Sequence, residues 1–252
     1  MPERDLQRQL DFAGKIQTSM LPEFVPAIKG YDIGARLRQA QEIGGDFYYF
    51  MPLLSGAGKT AYIIADVMDK GLPAAVYALA TLSKIHSILS LYSRATPEKT
   101  LMELNLELRH LIKEDTYITA QIVEIDSDLH TVKYAVMGHP PMIAMGMDGN
   151  SLLDRVSDSQ PLNMVDDPDI AFGRFGLPPG ALIALYTDGI TEQHDSNDIY
   201  FGLPKLTNLL REYRHCPAQK ICDLVMDRVD EFCDGIPPSD DRTIMVIKRN
   251  HS

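Results

Sequence analysis

The order in which short β-like runs and longer helical runs follow one another most constrains this chain. Strand-like stretches come in blocks, at 31–38, 43–54 and 60–67, then at 117–125, 131–137 and 142–147, then at 170–175, 181–187 and 243–248. Helical stretches interrupt those blocks in two groups, Leu72–Arg94 with Thr96–Lys113, and Pro204–Tyr213 with Pro217–Phe232. A parallel, doubly wound sheet needs strand and helix in regular alternation, so this order predicts an α+β fold of largely antiparallel sheets covered by helices. Leu72–Arg94 is apolar on most faces, which marks a deeply covered helix, and Pro73 suits its first turn. Thr96 is a natural N-cap for the helix that follows. Asp126-Ser127-Asp128 and Asp148-Gly149-Asn150 read as turns, and Asp154–Asp169 as a polar loop or flap.

Upstream, residues 4–21 place Leu6, Leu10, Ala13, Ile16 and Met20 near one helical face, and Pro22 and Pro26 end that helix. The expected organisation is an N-terminal regulatory or linker helix over 1–25 and one globular domain over 26–252. The helix covers under three heptads. It either docks on its own domain or pairs with a second copy of the chain.

With 252 residues the chain can bury a sizeable core. A net charge of -11 argues against broad nucleic-acid binding, which needs a basic footprint. The excess acid reads first as solubility, and it also suits a protein that gathers cations. The cysteines, Cys216, Cys222 and Cys233, lack zinc-site spacing and read as core or surface thiols in a reducing compartment. No signal peptide opens the chain and no apolar run reads as long enough to span a bilayer, so a cytoplasmic location without a membrane segment is expected.

The stretch SGAGKTAYIIADVMDKG, residues 55–71, offers two incompatible chemistries. Its GAGKT looks like the end of a phosphate-cradling P-loop. A Walker A loop, however, needs a first glycine where this chain has Leu53, and a helix where AYIIADV is short and β-rich. Without that helix the anion site loses its converging amides and its dipole. A glycine-bearing hairpin turn explains the same letters.

The second offer is the aspartate on which the apolar run stops. YIIAD ends at Asp66, LIALYTDG reaches Asp188, SDDRTIMVI begins with Asp240-Asp241, and EIGGDFYYF carries Asp46 beside two glycines. If some of these strands are antiparallel, the end of one and the start of another share a sheet edge, where the carboxylates converge. Crowded carboxylates raise one another's pKa unless cations neutralise them, and hard oxygen donors without a His or Cys cluster favour Mg²⁺ or Mn²⁺. Taken singly, each of these acids is equally a turn residue at a strand end.

Taken together, EIGGDFYYF, IADVMDKGLPAA, MGHPPM, LYTDGITE and DDRTIMVIK, in this order and with these gaps, resemble the PPM-type serine/threonine phosphatases, in their SpoIIE/RsbU branch. The resemblance covers about residues 16 to 249, and IQTSMLP is similar to the way that branch begins. It implies a four-layer αββα sandwich with two Mn²⁺ or Mg²⁺ ions between the sheets. By the resemblance Asp46, Asp66 (bridging), Asp188 and Asp240 carry the catalytic metal centre, with the carbonyl of Val67 as a further ligand. Asp240 aligns better than Asp241, which is expected behind the ligands. The implied reaction is hydrolysis of phosphoserine or phosphothreonine by metal-activated water. The implied partner is a phosphorylated STAS-type anti-sigma-factor antagonist in partner-switching control of transcription. An upstream sensor or activator would act through the N-terminal helix, with a homodimer in view.

One motif departs from the branch. Where D-V-S-G-K-G is usual, the chain reads Asp66-Val67-Met68-Asp69-Lys70-Gly71, with Asp69 at a glycine position. A φ > 0 conformation there would cost an aspartate little, whereas an added carboxylate would perturb the metals. For a phosphate clamp Arg36, Arg38 and Arg242 are candidates between which the sequence does not choose. His139 is open to two readings, a general acid or a structural histidine fixing the turn before Pro140-Pro141, and the second is preferred. Gly44, Gly45, Gly71 and Gly189 read as backbone positions, and Met142–Met147 as core. The competing function is a catalytically silent module of the same fold that binds a phosphoprotein.

Overall fold

A computed structural model describes residues 2–22, 25, 27–54, 56, 58–91, 96–113, 115–153 and 158–251. Of the positions named from sequence, Pro26, Ser55, Arg94 and Asp154 lie outside the described residues. In chain order the elements are α1 (Pro2–Met20), β1 (Tyr31–Arg38), β2 (Phe47–Pro52), β3 (Lys59–Val67), α2 (Leu72–Leu91) and α3 (Pro97–Arg109). There follow β4 (Ile118–Asp126), β5 (Thr131–Met137), β6 (Ile143–Met145), β7 (Ala171–Gly176) and β8 (Leu182–Tyr186). The chain closes with α4 (Asp188–Thr191), α5 (Gly202–Tyr213), α6 (Ala218–Cys233) and β9 (Arg242–Arg249).

The strands form a four-stranded sheet in the order β1-β9-β8-β6 and a five-stranded sheet in the order β2-β3-β4-β5-β7, every neighbouring pair antiparallel. Alternation along each strand sends one set of side chains between the sheets and the other toward helices. On β3, Tyr62 and Ile64 meet Ile183, Leu185, Met245 and Ile247 of the other sheet, while Ala61, Ile63 and Ala65 pack with α2 and α3. On the far side Ile244 and Val246 lie under Leu206, Val225 and Val229 of α5 and α6. Both faces of both sheets are covered, which is why β3 reads as a continuous apolar run without alternation. The architecture is the expected αββα sandwich.

Several boundaries differ from the sequence reading. The run expected over Ile43–Leu54 becomes strand only at Phe47, so Asp46 lies just before β2. Gly44 explains the delay: a Cβ there would stand 1.8 Å from Asp241 Oδ2, so this backbone is pressed against another segment instead of pairing in a ladder. Thr96 does occupy the N-cap of α3, yet its hydroxyl makes no capping bond. α2 is by length and hydropathy alone sufficient to cross a membrane, which corrects the expectation that no run is long enough. Its Ala74, Ala78, Leu82 and Ile85 are buried against the five-stranded sheet, as a covering helix requires.

The N-terminal helix is seated differently from its apolar pattern. Among the side chains described in α1 (Leu6 is not one of them), Gly14 and Gln17 are the buried positions, whereas Phe12, Ile16 and Met20 face outward. The helix docks through a small residue and an amide because what it docks on is a polar loop, residues 39–45.

Candidate active site

The turn that resembled a P-loop leads straight into a strand. Leu53 N–H donates to Lys59 O at 2.9 Å, closing the β2–β3 hairpin, and Lys59 and Thr60 already belong to β3. The cradle helix is absent and the nucleotide reading ends there.

The antiparallel register brings the acids to one edge. Phe47 pairs with Ala65, so the start of β2 lies beside the end of β3, with Asp46 and Asp66 adjoining. Tyr186 pairs with Ile244, so the end of β8 lies beside the start of β9, with Asp188 just after one and Asp240-Asp241 just before the other. These two edges face each other across the sandwich. At α4, a Cβ on Gly189 would stand 1.9 Å from Asp241 O, so only glycine lets the two segments meet.

Asp46 is 1% exposed. Its Oδ2 accepts from Thr187 Oγ1 at 2.7 Å and from Thr243 Oγ1 at 2.6 Å, two hydroxyls of the opposite sheet. Thr187 Oγ1 in turn accepts from Thr243 N–H at 2.9 Å. Burial raises the Asp46 carboxyl well above the usual carboxylate range, the Asp66 charge adds to that, and the two threonines oppose it. Burial likewise pushes Asp66 up to about 7, reinforced by repulsion from Asp188, Asp240 and Asp241. Asp188 is raised by burial, then by Glu192 and Asp240.

Asp241 is occupied by the backbone: Oδ1 accepts from Ala40 N–H at 2.8 Å and Oδ2 from Asp46 N–H at 3.4 Å. It staples the 40–46 segment to the start of β9. Burial raises its carboxyl and those amides offset part of the shift. Asp240 faces outward and pairs with Lys70 Nζ at 3.1 Å, while Lys70 also donates to Ser239 O. The Val67 carbonyl lies under Gly45, where a Cβ would come within 2.6 Å of it. A cavity of about 260 Å³ opens over Asp188 and Asp240 and is rimmed by Lys70, Glu192, His194 and Tyr200.

The donor set suits a hard divalent cation. The acids are all oxygen donors, several buried, and repulsion from neighbouring carboxylates adds to the burial that raises Asp46, Asp66 and Asp188, a load that a bound cation relieves. As the side chains stand, no group of three Asp, Glu, His or Cys among the described residues encloses a metal position. The Asp46 carboxylate is instead held by the hydroxyls of Thr187 and Thr243.

The remaining positions resolve as follows. Asp69 has φ 76°, the left-handed conformation that the usual glycine would supply without strain. Arg36 pairs with Asp223 at 2.5 Å, Arg38 with Asp227 at 2.9 Å and with Asp230, and Arg242 with Asp230 at 2.7 Å. All three arginines are engaged by acids of α6, and among the described residues lining the cavity the one lysine or arginine is Lys70. His139 is buried, its Nδ1 2.8 Å from Thr119 Oγ1, and Thr119 lies opposite Asp66 in the β3–β4 register. Burial drops the imidazole to about 3, so the ring is neutral, and Nε2 is buried without a hydrogen-bond partner among the described residues. A buried neutral ring fits the structural reading.

Thr187, Thr243 and Gln17 were not singled out from the sequence. Both threonines lie beside an acid inside a quoted motif, YTDG and DDRT, and that adjacency was the available signal.

Residues 56–250 match the family described as Stage II sporulation protein E (SpoIIE). The chain belongs to the SpoIIE family. As a member it is a PP2C-type serine/threonine protein phosphatase related to RsbU and SpoIIE. It is 27% identical over 255 residues to phosphoserine phosphatase RsbU of Bacillus subtilis (strain 168), covering 98% of this chain and 72% of RsbU. In fold this SpoIIE-family chain resembles the SiaA-PP2C domain of Pseudomonas aeruginosa, with a TM-score of 0.86, 22% identity and 98% of each chain covered. It also resembles RsbX in complex with magnesium, with a TM-score of 0.66 and 14% identity over 89% of this chain and 98% of RsbX.

Proposed function

We propose that this SpoIIE-family protein hydrolyses phosphoserine or phosphothreonine on a STAS-type anti-sigma-factor antagonist, with two Mn²⁺ or Mg²⁺ ions held by Asp46, Asp66, Asp188, Asp240 and the Val67 carbonyl. The observation that carries this reading is the meeting of carboxylates from both sheets at one edge, where burial and repulsion raise Asp46, Asp66 and Asp188 together. When bound, such ions lower the pKa of a coordinated water and draw charge from the phosphoryl oxygens.

The chain's own groups have separable tasks. Thr187 and Thr243 fix the Asp46 carboxylate and favour its ionised form. Asp241, its oxygens taken by backbone amides, holds the segment that carries Asp46 and is not itself a ligand in this reading. Lys70 presents a cation at the mouth of the cavity, where a phosphate arrives. The relative named phosphoserine phosphatase RsbU supports the substrate class, and the solved complex of RsbX with magnesium supports divalent metal use. We further assign residues 1–25 a regulatory role, as the route by which an upstream sensor or activator, or a second copy of the chain, reaches the domain.

The rival reading, a silent phosphoprotein-binding module, draws on the absence of an enclosed metal position among the described residues. Hydrolysis of p-nitrophenyl phosphate separates the two. The phosphatase reading expects turnover that requires Mn²⁺ and that falls by about a hundredfold or more in Asp188→Asn, with circular dichroism unchanged. A folded, Mn²⁺-supplied protein inert on that ester and on a phosphorylated STAS protein establishes the rival.

A further inference from the structure

Among the described residues, α1 meets the segment that leads to the acid site through Gln7, whose Nε2 donates to Glu42 Oε1 at 2.7 Å, through Gly14, and through one buried polar side chain, Gln17. Gln17 is 2% exposed. Its Nε2 donates to Gly44 O at 2.6 Å, and its Oε1 accepts from Gly44 N–H at 3.2 Å and from Gln39 Nε2 at 3.0 Å. A side-chain amide that satisfies both backbone groups of one residue fixes the two peptide units flanking it in position and orientation. Gly44 is two residues from Asp46, and it is the glycine pressed on the Asp241 carboxylate, whose other contacts are the amides of Ala40 and Asp46. One turn earlier on the same face, a Cβ on Gly14 would stand 2.2 Å from Glu42 O, so the helix rests directly on the backbone of the same loop.

We propose that Gln17 is a positioning residue for the acid site. It clamps Gly44, Gly44 sets Asp241, and Asp241 with the 40–46 segment sets where Asp46 meets Asp66. The seating of α1 is thereby part of the site, although α1 contributes no group that touches substrate. Burial of an uncharged glutamine is costly unless its amide is paired, so the clamp holds only while the loop keeps this conformation. The inference rests on the proposal that these acids hold divalent ions, and the test separates the two.

The experiment compares the full chain with Gln17→Met, close in size but unable to form these bonds. Mn²⁺ binding is measured by calorimetry and amide hydrogen exchange over residues 40–46 by mass spectrometry. Exchange over 40–46 should quicken, and Mn²⁺ should bind about tenfold more weakly, as for loss of a group that orients a ligand. The KM for p-nitrophenyl phosphate at saturating Mn²⁺ should stay within twofold of the parent. Lys15→Ala, at an exposed position of the same helix, should change neither exchange nor binding. A folded Gln17→Met protein that binds Mn²⁺ like the parent, with unchanged exchange, overturns the inference. If Gln17→Met does not fold, Gly14→Ala, which lifts the helix off Glu42, carries the same two criteria. If the parent binds no Mn²⁺, the metal proposal fails by itself, and unchanged exchange at 40–46 in the variant then overturns this one as well.

Discussion

Asp46 and Asp240 reach the same site from opposite sheets, and their surroundings differ sharply. Asp46 is sealed between the sheets, with two threonine hydroxyls on one oxygen and a raised pKa caused mainly by burial. Asp240 has a side chain 41% exposed, and its partner is the flexible, half-exposed Lys70. Asp66 sides with Asp46, while Asp188 and the cavity rim side with Asp240. The deep half is rigid, desolvated and dependent on neighbours that cannot be replaced by water. The open half is wet, and solvent screens and substitutes for what a mutation removes. One site therefore has a half suited to holding charge in place and a half suited to admitting a phosphoester.

If that division is real, substitutions of similar size should have unequal consequences. The largest effect is expected for Thr243→Val, which keeps the shape but removes the donor to Asp46. Mn²⁺ affinity measured by calorimetry should fall roughly 10- to 100-fold. An unchanged affinity would erase the distinction between the halves.

His139→Gln probes the buried ring bonded to Thr119, the residue opposite Asp66. The folded imidazole titrates at about 3 and the unfolded one near 6.5. Its folded pKa is depressed, so the stability it contributes is fully present above pH 6.5 and is lost as pH falls toward 3. The slope is at most about 1.4 kcal/mol per pH unit. In thermal melts between pH 7.5 and 5 the parent should lose stability more steeply than the glutamine variant. A pH–rate profile that keeps its shape in that variant would agree with a structural ring, and a lost limb would restore the general-acid reading.

Lys70→Gln tests the open half and should do least. Exposed ion pairs contribute about 0–1 kcal/mol, so kcat/KM should fall by no more than about fivefold. A loss comparable to that of Thr243→Val would show that the open half also depends on a fixed charge.

Much of this was legible in the chain itself. Antiparallel sheets covered by helices followed from blocks of strands separated by pairs of helices, the four αββα layers from the family resemblance, and the acids stood out because apolar runs stop on them. The nucleotide-loop reading failed on Leu53 and on the β-rich run after Lys59, as the hairpin confirms. What escaped was set by tertiary contact. The seating of α1 contradicts its apolar spacing, because a loop of free backbone groups recruits Gln17 and leaves Ile16 and Met20 outside. Arg36 and Arg38 could not be ranked because their partners, Asp223, Asp227 and Asp230, lie some 190 positions along the chain where α6 meets β1, and Arg242 on β9 shares Asp230 with them. The capping hydroxyl of Thr96 was expected from local preference and is not used. For α1 and for Arg36 and Arg38, sequence neighbours give the residue type its usual role, and a distant segment decides otherwise.

The most direct measurement is anomalous diffraction at the manganese edge from crystals grown with Mn²⁺. The account predicts two peaks between the sheets, ligated by Asp46, Asp66, Asp188 and Asp240, with Asp241 still bound to the 40–46 backbone. An ordered site whose map holds no manganese among these four carboxylates would contradict it.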